Sequence, residues 1–275
     1  MRTSVYMEEL DAFTYRERIS QDNAVVLIPV GSIEQHGPHM PLNVDVLLSK
    51  ALAGATAEAI DGVVAAPVVY GYKSQQRSGG GNHLPGTTSL DASTMIAIAK
   101  TLTLEFARHG ARNIAFINGH FENYQFLYEG VDLALRELHQ SGIDDAKVVL
   151  LSYWDFVDDA TIAELYPNGF TGWDLEHGGV LETSLMLHLY PERVRMDKVV
   201  DAPPAVLPNY DVLPVRPELT PASGCLSSAA EATAAKGIIL LERASAGMAA
   251  ALTLEFPGAA PQPAAQTEPE SVGVL

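Results

Sequence analysis

Apolar positions along the chain alternate between short β-branched runs and longer stretches at helical spacing. Ala24 to Val30 has the pattern of a buried strand and is stopped by Gly31. Val46 to Ile60 repeats its apolar positions at helical spacing among many alanines, and Val63 to Val69 returns to strand composition. Ala92 to His109 is helical again, with Gly110 as its stop, and Asn113 to Ile117 is a strand ending at Asn118-Gly119-His120. Phe126 to His139 predicts a helix, Lys147 to Leu151 a strand and Val180 to Leu189 an apolar helix. Ala229 to Phe256 predicts an alanine-rich helix interrupted by Gly237. This alternation predicts one α/β domain over residues 1–256, a mainly parallel β-sheet flanked by helices with its site at the carboxyl ends of the strands.

The segments between these elements carry the remaining signal. Gly71 to Ser89 is long for a connection and rich in Gly, Ser and Gln, the mark of a loop that is either functional or disordered, and its Gly79-Gly80-Gly81 favours close backbone approach. Ser152 to Gly179 is polar and aromatic, and Pro203 to Pro221 predicts an extended surface segment. Residues 257–275 hold neither an aromatic nor a basic residue and predict a disordered C-terminal tail.

Composition narrows the function classes. Of 275 residues 47% are hydrophobic and 19% charged, which supports a sizeable core. The 17 Lys+Arg against 34 Asp+Glu give a net charge of −17, which argues against a nucleic-acid partner. No apolar run approaches the roughly 20 residues of a bilayer span, and Met1-Arg2-Thr3-Ser4 leads into Glu8-Glu9 rather than an apolar signal core. The expectation is a cytoplasmic protein with no membrane partner. Cys225 is the single cysteine, in a Ser/Gly-rich loop far along the chain from the histidines, and is read as inert. A metal here must therefore use His, Asp and Glu.

Those residue types cluster at strand ends. Glu34 and His36 stand two apart after the first strand, so in extended backbone they point to one side. Asp45 follows, and His120 and Glu122 repeat the alternation after a later strand at the same end of the sheet. Oxygen and nitrogen donors in this set suit Zn²⁺, Mn²⁺ or related ions. Two divalent ions are balanced in charge by three carboxylates and a bridging hydroxide, which predicts a two-metal hydrolytic centre with Asp45 as the bridge. His39 and His83 are read as non-ligands, and Asp155, Asp158 and Asp159 as a solvated turn or helix start.

His177 lies among glycines before the apolar helix and is the candidate general acid, with a loop-orienting histidine as its alternative. Glu182 either points to His177 from the next helix turn or is an exposed helix residue. Trp154 and Trp173 either stack on a flat ligand or pack in the core. Nucleotide binding is set aside, because the triple glycine lacks the Gly-Lys-Ser/Thr ending of a phosphate loop. Ser78 has no nucleophile-elbow context, so a serine hydrolase is set aside too.

Gly31-Ser32-Ile33-Glu34-Gln35-His36-Gly37-Pro38-His39 and Asn118-Gly119-His120-Phe121-Glu122-Asn123 resemble the creatininase (creatinine amidohydrolase) family. The likeness continues through Tyr70 to Gln76, Ser78 to His83, Pro85 to Asp91, Ser152 to Phe156 and Gly172-Trp173-Asp174, covering about Val5 to Phe256. These stretches are closer to creatininases in the narrow sense than to the wider family, which includes formamide hydrolases and a cofactor-precursor peptidase. The resemblance implies two metals per subunit, Zn and/or Mn, one on Glu34, Asp45 and His120 and the other on His36, Asp45 and Glu122. It implies substrate contacts from Ser78, the backbone at Phe121, Trp154, Trp173, Asp174 and His177, and assembly as a homohexamer. The implied reaction is reversible hydrolysis of creatinine to creatine, by attack of a bridging hydroxide with His177 as proton donor and Glu122 among the catalytic groups.

One departure stands out. The family carries Tyr where this chain has Phe121. In extended backbone that side chain points away from the ligands, and a contact through its N–H survives the change. If the hydroxyl touches substrate, specificity has drifted. The alternatives to the implied reaction are therefore a related amidohydrolase of another small cyclic amide or urea-like compound, and a non-catalytic metal-stabilised binding protein.

Overall fold

The computed structural model describes residues 4–21 and 23–258. Its centre is one parallel sheet of β1 (Val26–Val30), β2 (Val63–Val64), β3 (Asn113–Asn118) and β4 (Lys147–Ser152), in the order β2-β1-β3-β4. β1 and β3 run side by side with Val26 opposite Ile114 and Val30 opposite Asn118, so both strands end at one edge. The helices are α1 (Ala12–Ser20), α2 (Val44–Ile60), α3 (Gln76–Gly79), α4 (Ala92–Arg108), α5 (Tyr124–Gln140), α6 (Asp159–Leu165), α7 (Val180–Leu189) and α8 (Ala234–Glu255).

Strand side chains sort by alternation onto two cores. Val26, Ile28 and Val30 of β1 and Ile114 and Phe116 of β3 pack with Met95 and Ala99 of α4 and Leu127 of α5. Leu27, Ala115 and Ile117 face the other way, onto Leu48 and Leu52 of α2, Leu185 of α7 and Met248 of α8. Both faces of the sheet are covered, which is why these strands read as continuous apolar runs. This is the single-domain, helix-flanked parallel sheet that the alternation predicts.

Four local expectations need correction. The strand expected over Val63 to Val69 is cut to Val63–Val64, with Val68 making a lone bridge to Val30. Pro67 between them has no N–H to give a ladder. α1, absent from the apolar pattern, is set by its cap, since the Asp11 side chain accepts from the N–H groups of Phe13 and Thr14. α8 starts at Ala234, where the Thr233 side chain caps Lys236 N, and Gly237 does not interrupt it. A side chain at Gly237 would run into the Ser184 carbonyl, so the glycine lets α8 lie close against α7. Finally, α8 is long and apolar enough by length and composition to cross a membrane, contrary to the reading that no run approaches a span. Here it lays Leu240, Ala244, Met248 and Leu252 into the core beside α2 and α7. Pro203 to Pro221 is extended apart from one turn at Pro217–Leu219, as expected. The expected tail lies outside the described residues beyond Gly258.

Candidate metal centre

The two loops that follow β1 and β3 reach the start of α2 because each begins with glycine. A Cβ at Gly31 would lie 2.5 Å from Val46 N, and one at Gly119 would lie 2.7 Å from the Asp45 carbonyl. The helix terminus therefore wedges between both strand ends, and Asp45 in its first turn enters the space between the loops. The positive end of the α2 dipole favours a carboxylate there.

Asp45 divides its two oxygens between two histidines. His120 Nδ1 lies 2.9 Å from Glu34 Oε2 and 3.2 Å from Asp45 Oδ2. His36 Nε2 lies 3.0 Å from Asp45 Oδ1 and 3.4 Å from Glu182 Oε1. Each ring is held from behind by a backbone carbonyl: His36 Nδ1 donates to Glu34 O at 3.1 Å, and His120 Nε2 to Tyr72 O at 3.0 Å. With those protons placed outward, the lone pairs of His36 Nε2 and His120 Nδ1 point at the carboxylates, as metal-ligating imidazoles require.

The electrostatics agree. Burial opposes the charged form of every group here, yet His177 and His120 together hold Glu34 below the ordinary carboxylate range, and His36 and His120 hold Asp45 well below it. Against the same burial, Glu182 and Asp45 push His36 far up, and Glu122 and Glu34 push His120 far up. A buried pocket that drives its own imidazoles towards the cationic form is a pocket built for positive charge. Glu34 Oε1, His36 Nε2 and Asp45 Oδ2 are buried with no hydrogen-bond partner, and among the described residues the donors form three groups suited to an ion, Glu34/Asp45/His120 and His36/Asp45/Glu182, which share the aspartate, and Glu34/His36/His177. The residues fit divalent cations.

Of the five expected ligands the structure gathers Glu34, His36, Asp45 and His120, and moves the fifth. Glu122 stands behind His120, with Oε2 3.3 Å from Nε2, while its Oε1 accepts from Gln75 N at 2.7 Å and from Ser78 Oγ at 2.6 Å. A 3₁₀ turn begins at Phe121, so the extended alternation that placed His120 and Glu122 on one side does not apply. The carboxylate beside His36 and Asp45 is Glu182, delivered by the first turn of α7 and steadied by Gly178 N at 2.7 Å from its Oε2. Glu182 thus points to His36 rather than to His177. Its sequence signal is a single acid inside the otherwise apolar stretch Val180–Leu189.

The centre opens into a cavity with aromatic walls. Phe121, Trp154 and Trp173 line it above Glu34, Asp45 and His120, and Ser78, Asp174 and His177 border it as well. Phe121 is 57% exposed, with its ring 6.2 Å from Trp154, so the side chain faces the cavity instead of pointing away. Trp154 and Trp173 sit on 3₁₀ turns, and Trp173 leans edge-on against Phe170 at 5.1 Å. Asp174 Oδ2 is 4.0 Å from Arg77, across the mouth. His177 is buried, its ring 4.5 Å from that of His36 and its Nε2 3.9 Å from Glu34 Oε1.

Other expectations resolve simply. His39 is bound to Thr183 Oγ1 at 2.9 Å, and burial pulls it down to about 4. His83 is exposed, and Asp158 caps α6. Cys225 is not remote from the histidines: its Sγ packs against Gly37 and Gly178, next to His36 and His177. Burial pushes its thiol up to about 11, which keeps it unreactive. Tyr153, inside the Ser152 to Phe156 stretch of likeness, and Glu176 also line the cavity.

Fold and site together define the class: an α/β metal-dependent hydrolase, in which a parallel sheet presents two carboxylate-imidazole groups that share one aspartate below a small-molecule cavity. The family pattern of creatininase, creatinine amidohydrolase, matches residues 8–252, and the chain belongs to that family. It is 55% identical over 258 residues to the creatinine amidohydrolase of Pseudomonas putida, spanning 94% of this chain and 99% of that one. It is 32% identical over 185 residues to the mycofactocin precursor peptide peptidase of Mycolicibacterium smegmatis, across 64% of this chain and 62% of that protein. Among solved structures, a manganese creatininase superposes with a TM-score of 0.91 at 55% identity, covering 93% of this chain and all (100%) of the other. A mutant creatininase complexed with creatine superposes at 0.90, with 55% identity and the same coverage of 93% and 100%.

Proposed function

We propose that this chain hydrolyses creatinine reversibly to creatine with two divalent ions per subunit, Zn and/or Mn. Glu34, Asp45 and His120 would hold one ion, and His36, Asp45 and Glu182 the other. The observation that carries this reading is the division of Asp45, one oxygen 3.0 Å from His36 Nε2 and the other 3.2 Å from His120 Nδ1. Such ions, when bound, polarise a carbonyl and supply a nucleophile from water at neutral pH.

The remaining residues bind, orient and move protons. Trp154, Trp173 and Phe121 cover the flat ring and exclude bulk water. Asp174 takes the guanidine-like edge, on the side where Arg77 now approaches it at 4.0 Å. One water is added across the lactam C–N bond, its hydroxyl to the carbonyl carbon and its proton to the ring nitrogen. His177 delivers that proton. Glu122, with its carboxyl pushed up by burial against the pull of His120, backs the His120 ring and is itself held by Ser78. The same reading carries a cytoplasmic homohexamer, whose mass light scattering measures.

The test is creatine formation from creatinine by purified protein, with metal content measured before and after chelation and after Zn²⁺ or Mn²⁺ is restored. Turnover that is lost and regained with the ions is the expected result. A second reading, a related amidohydrolase of another small cyclic amide, is favoured by one observation: Phe121 lines the cavity without a hydroxyl. Two bound ions with creatinine untouched would select it.

A further inference from the structure

Arg77 stands on α3 next to Ser78, and the proposed reaction gives its charge no task. Its Nη2 lies 4.0 Å from Asp174 Oδ2, too far for a hydrogen bond. The two side chains are 37% and 70% exposed, and among the described residues neither makes a hydrogen bond. An ion pair this open is worth little, so both groups keep their capacity for a ligand. They face a second hollow, of about 470 Å³, lined by Arg77, Thr171, Trp173 and Asp174 together with Leu207 and Pro208 of the extended segment. Its size is that of a small-ligand pocket. Trp173 and Asp174 line the metal cavity as well, whereas Arg77 does not. Asp174 therefore stands where the two spaces meet, with Arg77 on the outer side.

Hydrolysis changes the charge pattern of the ligand. Creatinine is a ring with no net charge at neutral pH. Opening it leaves creatine with a guanidinium at one end and a new carboxylate at the other. Three bonds join the two charged carbons, which sets them about 3.8 Å apart when extended. Arg77 and Asp174 present the opposite charges at 4.0 Å. Laid antiparallel on this pair, creatine meets an opposite charge at each end. Both contacts join a guanidinium to a carboxylate, the pairing that allows two parallel N–H···O bonds.

We propose that Arg77 and Asp174 form an outer site for zwitterionic creatine in the hollow beside Trp173, with Arg77 on the carboxylate and Asp174 on the guanidinium. The inference rests on the proposed reaction, which makes creatine the product and sets Asp174 against the guanidine-like edge. The guanidinium stays on Asp174 as the ligand crosses between the two spaces, while the carboxylate end swings out to Arg77. Creatinine has no carboxylate and gains nothing from Arg77. The hollow thus selects the open form: product pauses there on release, and creatine lands there before ring closure.

The experiment titrates zinc-loaded enzyme with creatine and, separately, with methylguanidinium, which carries the guanidinium but no carboxylate. Arginine Nε–H signals are followed by ¹⁵N NMR, and that of Arg77 is identified by its loss in Arg77→Met and in Arg77→Lys, so that either variant serves if the other fails to fold. The expected result is an Arg77 signal that moves to saturation with creatine and stays still with methylguanidinium. As inhibitors of creatinine hydrolysis the two compounds should separate as well. Arg77→Met should weaken creatine about fivefold, the worth of one exposed charge pair, without weakening methylguanidinium, and Arg77→Lys, which keeps a cation, should recover most of the loss. An Arg77 signal that ignores creatine, or inhibition by both compounds weakened equally, overturns the inference. The titration needs no turnover, so the two readings fail separately. Creatinine left untouched sinks the proposed reaction while the titration still reads the outer site, and turnover with an Arg77 signal blind to creatine sinks only this inference.

Discussion

The floor and the wall of the cleft are built in opposite ways. On the floor Glu34, His36, Asp45 and His120 are 1%, 1%, 2% and 3% exposed, and each is placed by a strand end or by the start of α2. On the wall Phe121 and Trp173 are 57% and 41% exposed, and each stands on a three-residue 3₁₀ turn. The floor inherits its geometry from the core, where close packing leaves little freedom. The wall is carried by short surface turns, the kind of element on which specificity changes at small cost to the fold. Reaction type should thus follow the floor and substrate choice the wall.

The strongest way to break this contrast is at the shared aspartate. Asp45→Asn keeps the shape but weakens both cation groups at once, so loss of both ions and of all measurable turnover is expected, read by atomic absorption and a creatine assay. A variant that keeps two ions would mean that Asp45 is not the bridge. Next in size is the pair Glu182→Gln and Glu122→Gln. Glu182→Gln should lose one ion outright. Glu122→Gln should keep both but bind them about 10 to 100 times more weakly, the usual cost of losing a group that backs a ligating histidine. The reverse pattern would return Glu122 to the ligand set.

That pair also marks how far the chain could be read without its fold. Glu34, His36, Asp45 and His120 were legible because strand ends and the start of a helix obey simple periodicities, and parallel strands bring their ends to one edge. Alternation does not reach Glu122, because β3 ends at Asn118 and a turn begins at Phe121. The same turn sets the direction of Phe121, so the rule for extended backbone does not apply to its ring. Glu182 was ambiguous because a lone acid on a helix has no local sign of which partner it will meet 146 residues away in His36, a contact that only the packing of α7 creates. α1 and the shortness of β2 were set by a side-chain cap and a proline, signals weaker than hydrophobic pattern.

Substitutions on the wall sharpen the contrast at smaller scale. Trp173→Ala should raise KM for creatinine about two- to tenfold, the worth of one aromatic contact, with both ions retained on metal analysis. Loss of metal in that variant would show that wall and floor are not separable. Phe121→Tyr restores the family's hydroxyl at an exposed ring, and a shift in the creatinine preference of about threefold or less is expected from competing-substrate assays. A switch of preferred substrate would instead make position 121 the chief determinant of specificity.

The smallest effect is expected where the two regions join. Glu176 follows the turn that carries Trp173, and its Oε1 accepts from Leu181 N at 2.5 Å, in the first turn of the helix that delivers Glu182. Burial pushes this carboxyl up to about 7, against the Leu181 N–H and Tyr166 hydroxyl, with Glu182 adding to the rise. A carboxyl raised in the folded state is bound to its proton more tightly there than in the unfolded chain. Its stabilising contribution is therefore complete below the ordinary value of 4.5 and is lost as pH rises through about 7. Glu176→Gln mimics the protonated form and keeps an acceptor for Leu181 N–H. Melting temperatures of the two proteins should lie close together near pH 5 and separate by a few degrees by about pH 8, with wild type the lower. Parallel curves would mean that Glu176 is ionised throughout, so that α7 begins between two buried negative charges and the joint is held by the cations beneath it rather than by a shared proton.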